Sequence, residues 1–166
     1  MIQIKKHSVG LIVVLFIGLS SCNKQTGFTA YYSIGAEGMS TTPYVFELSD
    51  LSFENNPQSL FVRLRNDNSY AFTNIFLICT LKAGDDLILQ DTLEYAMANP
   101  DGTWLGTGFT EVKESKLWWK EGVIFPTEKP LVVEIGQVMR NSGSTEGVSA
   151  LKGIVSVGLS IEAQDE

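Results

Sequence analysis

Residues 154–161 read Ile-Val-Ser-Val-Gly-Leu-Ser-Ile, and this stretch is the clearest indication of how the chain folds. Apolar side chains stand at every second position, and small residues fill the positions between them. A period of two indicates a β-strand with one buried face, because successive side chains point to opposite sides of a sheet. The residues predicted to share the core face are Val155, Val157, Leu159 and Ile161.

Further short apolar runs follow at regular intervals towards the amino terminus. The run 60–65 alternates in the same way, with Leu60, Val62 and Leu64 on one face. The run 72–81 is apolar on both faces, which predicts a strand in the middle of a sheet. A dense turn signal, Asn-Pro-Asp-Gly at 99–102, separates two later strands. The other predicted strands are 44–48, 87–95, 116–125 and 131–135.

About eight short strands at this spacing predict an all-β fold. We expect a single antiparallel β-sandwich of the immunoglobulin-like or jelly-roll-like kind. Helical periodicity is weak throughout the chain. The only helix candidates are the short segments 94–98, 137–140 and 148–152.

The amino-terminal region has the pattern of a bacterial lipoprotein signal. Two lysines at positions 5 and 6 precede the apolar run 9–19, and Leu-Ser-Ser then leads directly into Cys22. The run is shorter than the roughly 20 residues that a membrane-spanning helix needs. A cysteine immediately after small residues marks a lipidation site, so we expect cleavage before Cys22. Its thiol would carry a diacylglycerol and its amine an N-acyl chain.

This signal divides the chain into three predicted regions: a signal peptide at 1–21, a lipidated tether at 22–27 and the β-sandwich domain at 28–166. Two or three acyl chains on one cysteine suffice for stable anchoring without protein contacts to the bilayer. Asparagine rather than aspartate follows Cys22, and no acidic run comes after it. We therefore expect an outer-membrane, lipid-anchored protein whose domain faces the periplasm.

Composition excludes several classes of function. Without the signal peptide the chain keeps 10 basic and 19 acidic residues, a formal charge of −9, which disfavours nucleic acid as a partner. His7 is the only histidine and lies in the signal, so histidine-based catalysis and histidine-rich zinc sites are excluded from the mature protein. Cys79 lies in an apolar run and is expected to be buried and inert. We expect no enzyme, no metal site and no cofactor beyond the lipid on Cys22.

Four residues are the candidate contacts for a partner or ligand: Asp101, Trp104, Trp118 and Trp119. Adjacent residues on a strand face opposite ways, so one of Trp118 and Trp119 should be buried and the other exposed. An exposed indole can form a sugar platform or a protein hot spot. The alternative is that all three tryptophans pack in the core or at its rim.

Two weaker patterns occur just before and within the predicted strand 116–125. Glu111 and Glu114 could pair as acid and base in glycoside hydrolysis, but the stretch 111–116 is better interpreted as a solvated charged loop. Gly-Thr-Gly at 106–108 lacks the third glycine and the Lys-Ser pair of a phosphate loop. It indicates a bulge or tight bend instead.

An ordered set of short segments extends through the second half of the chain. The segments are 91–95, 97, 101–109, 116–118, 125–126, 139–140, 151–154 and 157–162. Together with the lipidation signal, this set resembles the GldH-type gliding-motility lipoproteins over about residues 59–162. Ser160 departs from the pattern, where an arginine is expected, and the loop 141–145 is longer.

The resemblance implies a lipoprotein associated with surface gliding and with the protein secretion machinery that serves it. It implies no catalytic residues, and only the lipidated cysteine carries over, to Cys22. The expected function is a non-catalytic, membrane-anchored scaffold or accessory subunit of the gliding and secretion apparatus. Its expected partners are the membrane, through the lipid, and other envelope proteins of that apparatus. The alternative is a glycan-binding lipoprotein of the cell envelope.

Overall fold

The computed structural model describes residues 27–48, 53, 56–126 and 130–164. No described residue lies in a helix, so this part of the chain contains no helix that could cross a membrane. The strands are β1 Gly27–Ser33, β2 Met39–Ser40, β3 Tyr44–Glu47, β4 Gln58–Asn66, β5 Asn74–Ala83, β6 Asp86–Ala96, β7 Lys113–Val123, β8 Leu131–Gln137, β9 Ala150–Leu151 and β10 Ile154–Ala163.

Eight of these strands form two four-stranded antiparallel sheets that enclose one core. The first sheet has the order β1-β10-β4-β7 and the second the order β3-β8-β5-β6, while β2 and β9 pair separately. Among these eight strands, β1 pairs with β10, β3 with β8, β4 with β7 and β5 with β6. The outermost strands in the sequence therefore pair with each other, and so do the innermost. This nested pairing is a long hairpin rolled on itself, which is the jelly-roll arrangement. The predicted all-β sandwich is confirmed, and it is of the jelly-roll kind.

Alternate residues of the central strands fill the core between the sheets. Leu60, Val62 and Leu64 of β4 are fully buried, as are Ile75 and Leu77 of β5. Each such side chain contributes about 1.5–3 kcal/mol through removal of apolar surface from water. The run predicted to be a central strand is indeed central, because β5 lies between β8 and β6.

β10 follows the predicted alternation except at its start. Val157, Leu159 and Ile161 are fully buried in the core. Between Ile154 and Ser156 the register against β4 shifts, which is a β-bulge. The bulge brings Ile154 into the core, at 1% exposure, and leaves Val155 only partly buried, so the prediction for Val155 is wrong.

The three short helix candidates are also wrong. The segment 94–98 is the end of β6 and its continuation, 137–140 begins with the last residue of β8, and 148–152 contains β9. Segments this short gain little from helical hydrogen bonds alone. Pairing with a neighbouring strand satisfies their backbone groups instead.

A tyrosine joins the two sheets at each side of the sandwich. On one side the Tyr32 hydroxyl of β1 donates to the Val45 carbonyl of β3, at 2.5 Å. On the other side the Tyr95 hydroxyl of β6 donates to the Trp118 carbonyl of β7, also at 2.5 Å. We call these the β1/β3 side and the β6/β7 side.

The connections between strands gather at two ends of the sandwich. At one end, which we call the entry end, β1 and β4 begin and β7 and β10 finish, because Gly27 pairs with Glu162 and Gln58 with Val123. The opposite end, which we call the loop end, carries the connections 34–38, 67–73, 97–112 and 138–149. Strand β1 begins at Gly27, the last residue of the predicted tether.

Candidate functional site

Trp118 and Trp119 face opposite ways on β7, as strand alternation predicts. Trp119 is 1% exposed and lies in the core, where its indole Nε1 donates to Asp91 Oδ2 at 3.0 Å. Trp118 is 51% exposed on the outer face of the first sheet, opposite Phe61 of β4. Of the two, only Trp118 offers its indole to a partner, and that role stays a prediction.

Asp101 and Trp104 lie in the connection between β6 and β7. The exposed Asp101 carboxylate accepts from the Thr103 amide at 2.9 Å and from the Thr103 hydroxyl at 2.6 Å. These hydrogen bonds lower the pKa of Asp101. Trp104 is half-buried, and its Nε1 donates to Asn68 Oδ1 at 3.1 Å. Because Trp119 is buried and Trp118 faces outward, the four predicted contact residues do not converge on one surface.

The outer face of the first sheet carries a charged network around Glu114. Its Oε1 accepts from the Tyr31 hydroxyl at 2.9 Å and lies 3.3 Å from Arg63 Nη1, while its Oε2 accepts from Arg65 Nε at 2.7 Å. The Arg65 guanidinium also lies 4.4 Å from the centre of the Tyr31 ring. Burial alone would raise the pKa of Glu114, but the hydrogen bonds from Arg65 and Tyr31 and the charges of both arginines lower it.

The network continues through Glu162 at the end of β10. Lys116 Nζ lies 2.7 Å from Glu162 Oε2 and 4.0 Å from the centre of the Phe61 ring. The Ser160 hydroxyl donates to Glu162 Oε1 at 3.0 Å, and Arg63 Nη2 lies 3.8 Å from the same oxygen. Ser160 stands where an arginine is expected. Its hydroxyl helps to hold Glu162, which already has two cationic neighbours, Lys116 and Arg63.

The small residues of β10 leave room for this network. A Cβ atom at Gly158 would lie 2.6 Å from Cδ1 of Tyr31, so only glycine allows the tyrosine ring to cross the strand. Ser156 and Ser160 flank it and are buried. Alternation in the sequence shows that these residues share a face, but the long side chains that cover them come from β1 and β4.

This geometry corrects one interpretation of the sequence. Residues 113–116 are not a solvated loop, because β7 begins at Lys113. Both Glu114 oxygens are engaged and its pKa is lowered, so Glu114 is poorly suited to be a general acid paired with Glu111. The glycines at 106 and 108 permit a close backbone approach, since a Cβ at Gly106 would lie 3.0 Å from the Glu114 carbonyl.

Glu114 should make stability depend on pH in the acidic range. Its pKa is lower in the folded state than its ordinary 4.5, so the stabilisation is present above about pH 4.5 and is lost as pH falls through the folded value. We expect Glu114→Gln to cost about 1 kcal/mol at neutral pH, the upper range for a partly exposed ion pair, and to flatten the acid decline. Urea unfolding of both proteins from neutral to acidic pH measures this. Glu111→Gln is the control, and an equal flattening there would contradict the assignment.

The remaining candidate features are modest. A shallow cleft of about 310 Å³ at the loop end is lined by residues 34–36 and 152–155 with Asp67 and Ser69.

Cys79 is fully buried, and burial raises its pKa to about 12, so its thiol is inert as predicted. Within the described ranges no three His, Cys, Asp or Glu side chains gather as they would around a metal ion. Cys22 lies outside the described residues, and its lipidation stays a prediction.

The fold and these surfaces define an antiparallel jelly-roll domain whose distinctive feature is a charged, aromatic sheet face. The profile of the GldH lipoprotein family matches residues 39–161. The chain belongs to this family, as its sequence resemblance indicates.

Two relatives are similar over nearly their whole length. The chain is 43% identical over 156 residues to the gliding motility lipoprotein GldH of Flavobacterium johnsoniae, covering 94% of this chain and 96% of the relative. It is 40% identical over 158 residues to a gliding motility lipoprotein GldH homolog of Christiangramia forsetii, covering 95% and 96%. Among solved structures, the infectious bursal disease virus VP2 subviral particle is similar over 83% of this chain and 33% of that chain, with 12% identity and a TM-score of 0.36.

Proposed function

We propose that this protein is a lipid-anchored, non-catalytic accessory subunit of the apparatus for gliding and protein secretion. In this proposal the lipid on Cys22 holds it in the outer membrane, and its jelly-roll domain stands in the periplasm. The observation that carries the proposal is the 43% identity, over 94% of the chain, to a protein named a gliding motility lipoprotein.

The position of the first strand supports a tethered orientation. Five Cα steps separate Cys22 from Gly27, and a chain of that length spans at most about 18 Å. The entry end of the sandwich, where β1 begins, would therefore remain close to the bilayer. Strands as long as the 10 residues of β5 extend about 33 Å. The loop end and the β6/β7 side would then be presented to other envelope proteins.

The chemistry of the described residues supports binding rather than catalysis as the role of the domain. Glu114, the acid at the centre of the charged network, is engaged by Tyr31 and Arg65. The Cys79 thiol is inside the core. The exposed features are instead an indole, at Trp118, and sheet edges, which are the surfaces that proteins recognise.

The test is to restore the protein to cells that lack it. We expect the unchanged chain to restore colony spreading and surface-protein secretion, and Cys22→Ala to fail because the domain leaves the membrane fraction. Ser20→Ala, which keeps a small residue before the cleavage point, is the control and should behave as the unchanged chain. Full function in Cys22→Ala would contradict the tether. Normal spreading and secretion in cells without the protein would contradict the proposed function as a whole.

A further inference from the structure

The second sheet ends on the β6/β7 side in a long strand with an open edge. β6 has 11 residues and pairs with β5 alone, and no described residue forms a ladder with its other edge. The register shift in this pair lies near Leu87, so residues 89–96 are regular. Every second residue of this stretch therefore presents an unpaired backbone N–H and C=O at the open edge in the geometry of a sheet, which is a template for a further strand.

The core is incomplete along this edge. Leu89, Leu93 and Tyr95 point inward from β6 and pack against the core, yet each remains only partly buried. At the opposite edge of the same sheet, Phe46 of β3 is 3% exposed and Tyr44 alone is partly buried, against three such side chains on β6. A strand added beside β6 would cover the three partly buried side chains, and the hydrophobic gain from that burial favours its addition.

An acid stands in the middle of the open edge and also points inward. Asp91 lies opposite Cys79 of β5, and its Oδ2 accepts from Trp119. Its Oδ1 has no hydrogen bond from any described residue. Residues 89–96 carry two acids, Asp91 and Glu94, and no base, so their charge complements a basic segment.

The other strand at this side, β7, is a poorer template. The segment around Thr107 already pairs with it, because the amides of Thr107 and Glu114 each donate to the other's carbonyl, at 2.9 and 2.8 Å. Its far half contains register irregularities opposite Leu60 and a glycine, Gly122, with φ of +69°. Regular backbone pairing is therefore available on β6 and not on β7.

We propose that residues 89–96 of β6 bind an extended segment of a partner protein, which adds to the second sheet as a further strand. The segment carries a lysine or arginine between apolar residues, so that its cation meets Asp91 and its apolar side chains cover Leu89, Leu93 and Tyr95. This inference rests on the proposed function, since an accessory subunit needs a partner. A second copy of this chain is a poor occupant, because its β6 contains no lysine or arginine that could meet Asp91.

The experiment places a photo-cross-linking amino acid in the full-length, lipidated chain in its own host cells. The test position is Thr92, exposed on β6, and the matched control is Thr29, an exposed threonine on the edge strand β1. A third position, Trp118, samples the outer face of the first sheet. We expect a discrete adduct from position 92 and none from position 29. The cross-linked peptide of the partner should contain a lysine or arginine between apolar residues.

The adduct must also depend on the acid. Asp91→Asn removes the charge but keeps an amide oxygen that can accept from Trp119, so the fold should persist. We expect it to lower the adduct yield roughly tenfold, which corresponds to loss of one charged hydrogen bond. Glu47→Gln, on the opposite edge of the same sheet, makes the same change of charge and should leave the yield unchanged. Unchanged far-ultraviolet circular dichroism of the purified variants confirms that each variant is folded.

Three results would overturn the proposal. One is an adduct with the mass of two copies of this chain, particularly if Asp91→Asn increases it, since Asp91 would then only guard the edge against self-pairing. Another is an adduct from position 92 that Asp91→Asn leaves unchanged. The third is an adduct from position 118 but not from position 92. That last result would move the docking surface to the first sheet and leave the proposed function intact.

Discussion

Trp119→Ala is expected to lower the free energy of unfolding by about 3–5 kcal/mol, the range for removing a large aromatic side chain from a core. Trp119 is 1% exposed between the sheets, and its indole also donates to Asp91. A loss of this size is a large part of the total stability of a domain, which is typically about 5–15 kcal/mol. We therefore expect much of the Trp119→Ala protein to be unfolded at moderate urea concentrations.

The neighbouring tryptophan provides a matched control. Trp118 has the same side chain on the same strand, but it is 51% exposed. The Tyr95 hydroxyl donates to its backbone carbonyl and not to its side chain. Trp118→Ala should therefore change the free energy of unfolding by less than about 1 kcal/mol. Urea unfolding of the full-length chain in detergent, followed by far-ultraviolet circular dichroism, measures both changes. Equal losses in the two variants would contradict the assignment of Trp119 to the core.

Gly153→Ala is expected to be nearly as damaging, for a reason that involves the backbone. Gly153 has φ of +84°, and a Cβ atom there would lie 2.1 Å from the Tyr70 amide nitrogen. The left-handed conformation costs a residue with a Cβ about 1–2 kcal/mol. Forcing the chains apart adds about 1–3 kcal/mol. We expect the two costs together to lower the free energy of unfolding by about 2–5 kcal/mol.

A second glycine separates the two costs. Gly143 has φ of +78°, but no atom lies within 4 Å of the Cβ that alanine would introduce. Gly143→Ala should therefore carry only the conformational cost of about 1–2 kcal/mol. The same urea titrations give the difference between the free energies of unfolding of the two variants. This difference measures the cost of the close approach of Gly153 to Tyr70. A difference near zero would show that these two backbone segments do not pack as described.

Features carried by one strand could be predicted from the sequence. The alternation in 154–161 gives the core face of β10 correctly at Val157, Leu159 and Ile161. The Asn-Pro-Asp-Gly signal gives the turn in which the Gly102 amide donates to the Asn99 carbonyl at 2.9 Å. The adjacent tryptophans give one buried and one exposed indole. Each of these depends on local geometry that residue types constrain directly.

Features that depend on pairing between distant strands could not be predicted in the same way. The bulge at Val155 adds a residue on one strand without altering the apolar pattern that periodicity detects. The Tyr31–Glu114 hydrogen bond joins residues 83 positions apart, and no spacing in the chain indicates it. The charged network on the outer face becomes apparent only when the strand order of the first sheet, β1-β10-β4-β7, is known.

The nested pairing of the strands has a consequence for how the chain acquires its structure. β10 lies between β1 and β4, so the first sheet cannot be completed until β10, the last described strand, has been synthesised. Among the described strands, only β5 and β6, with two residues between them, form a hairpin from adjacent sequence. Long-range pairing of this kind slows folding. The nascent chain should therefore remain largely unfolded until β10 has been made, and the sandwich should then form as one cooperative unit.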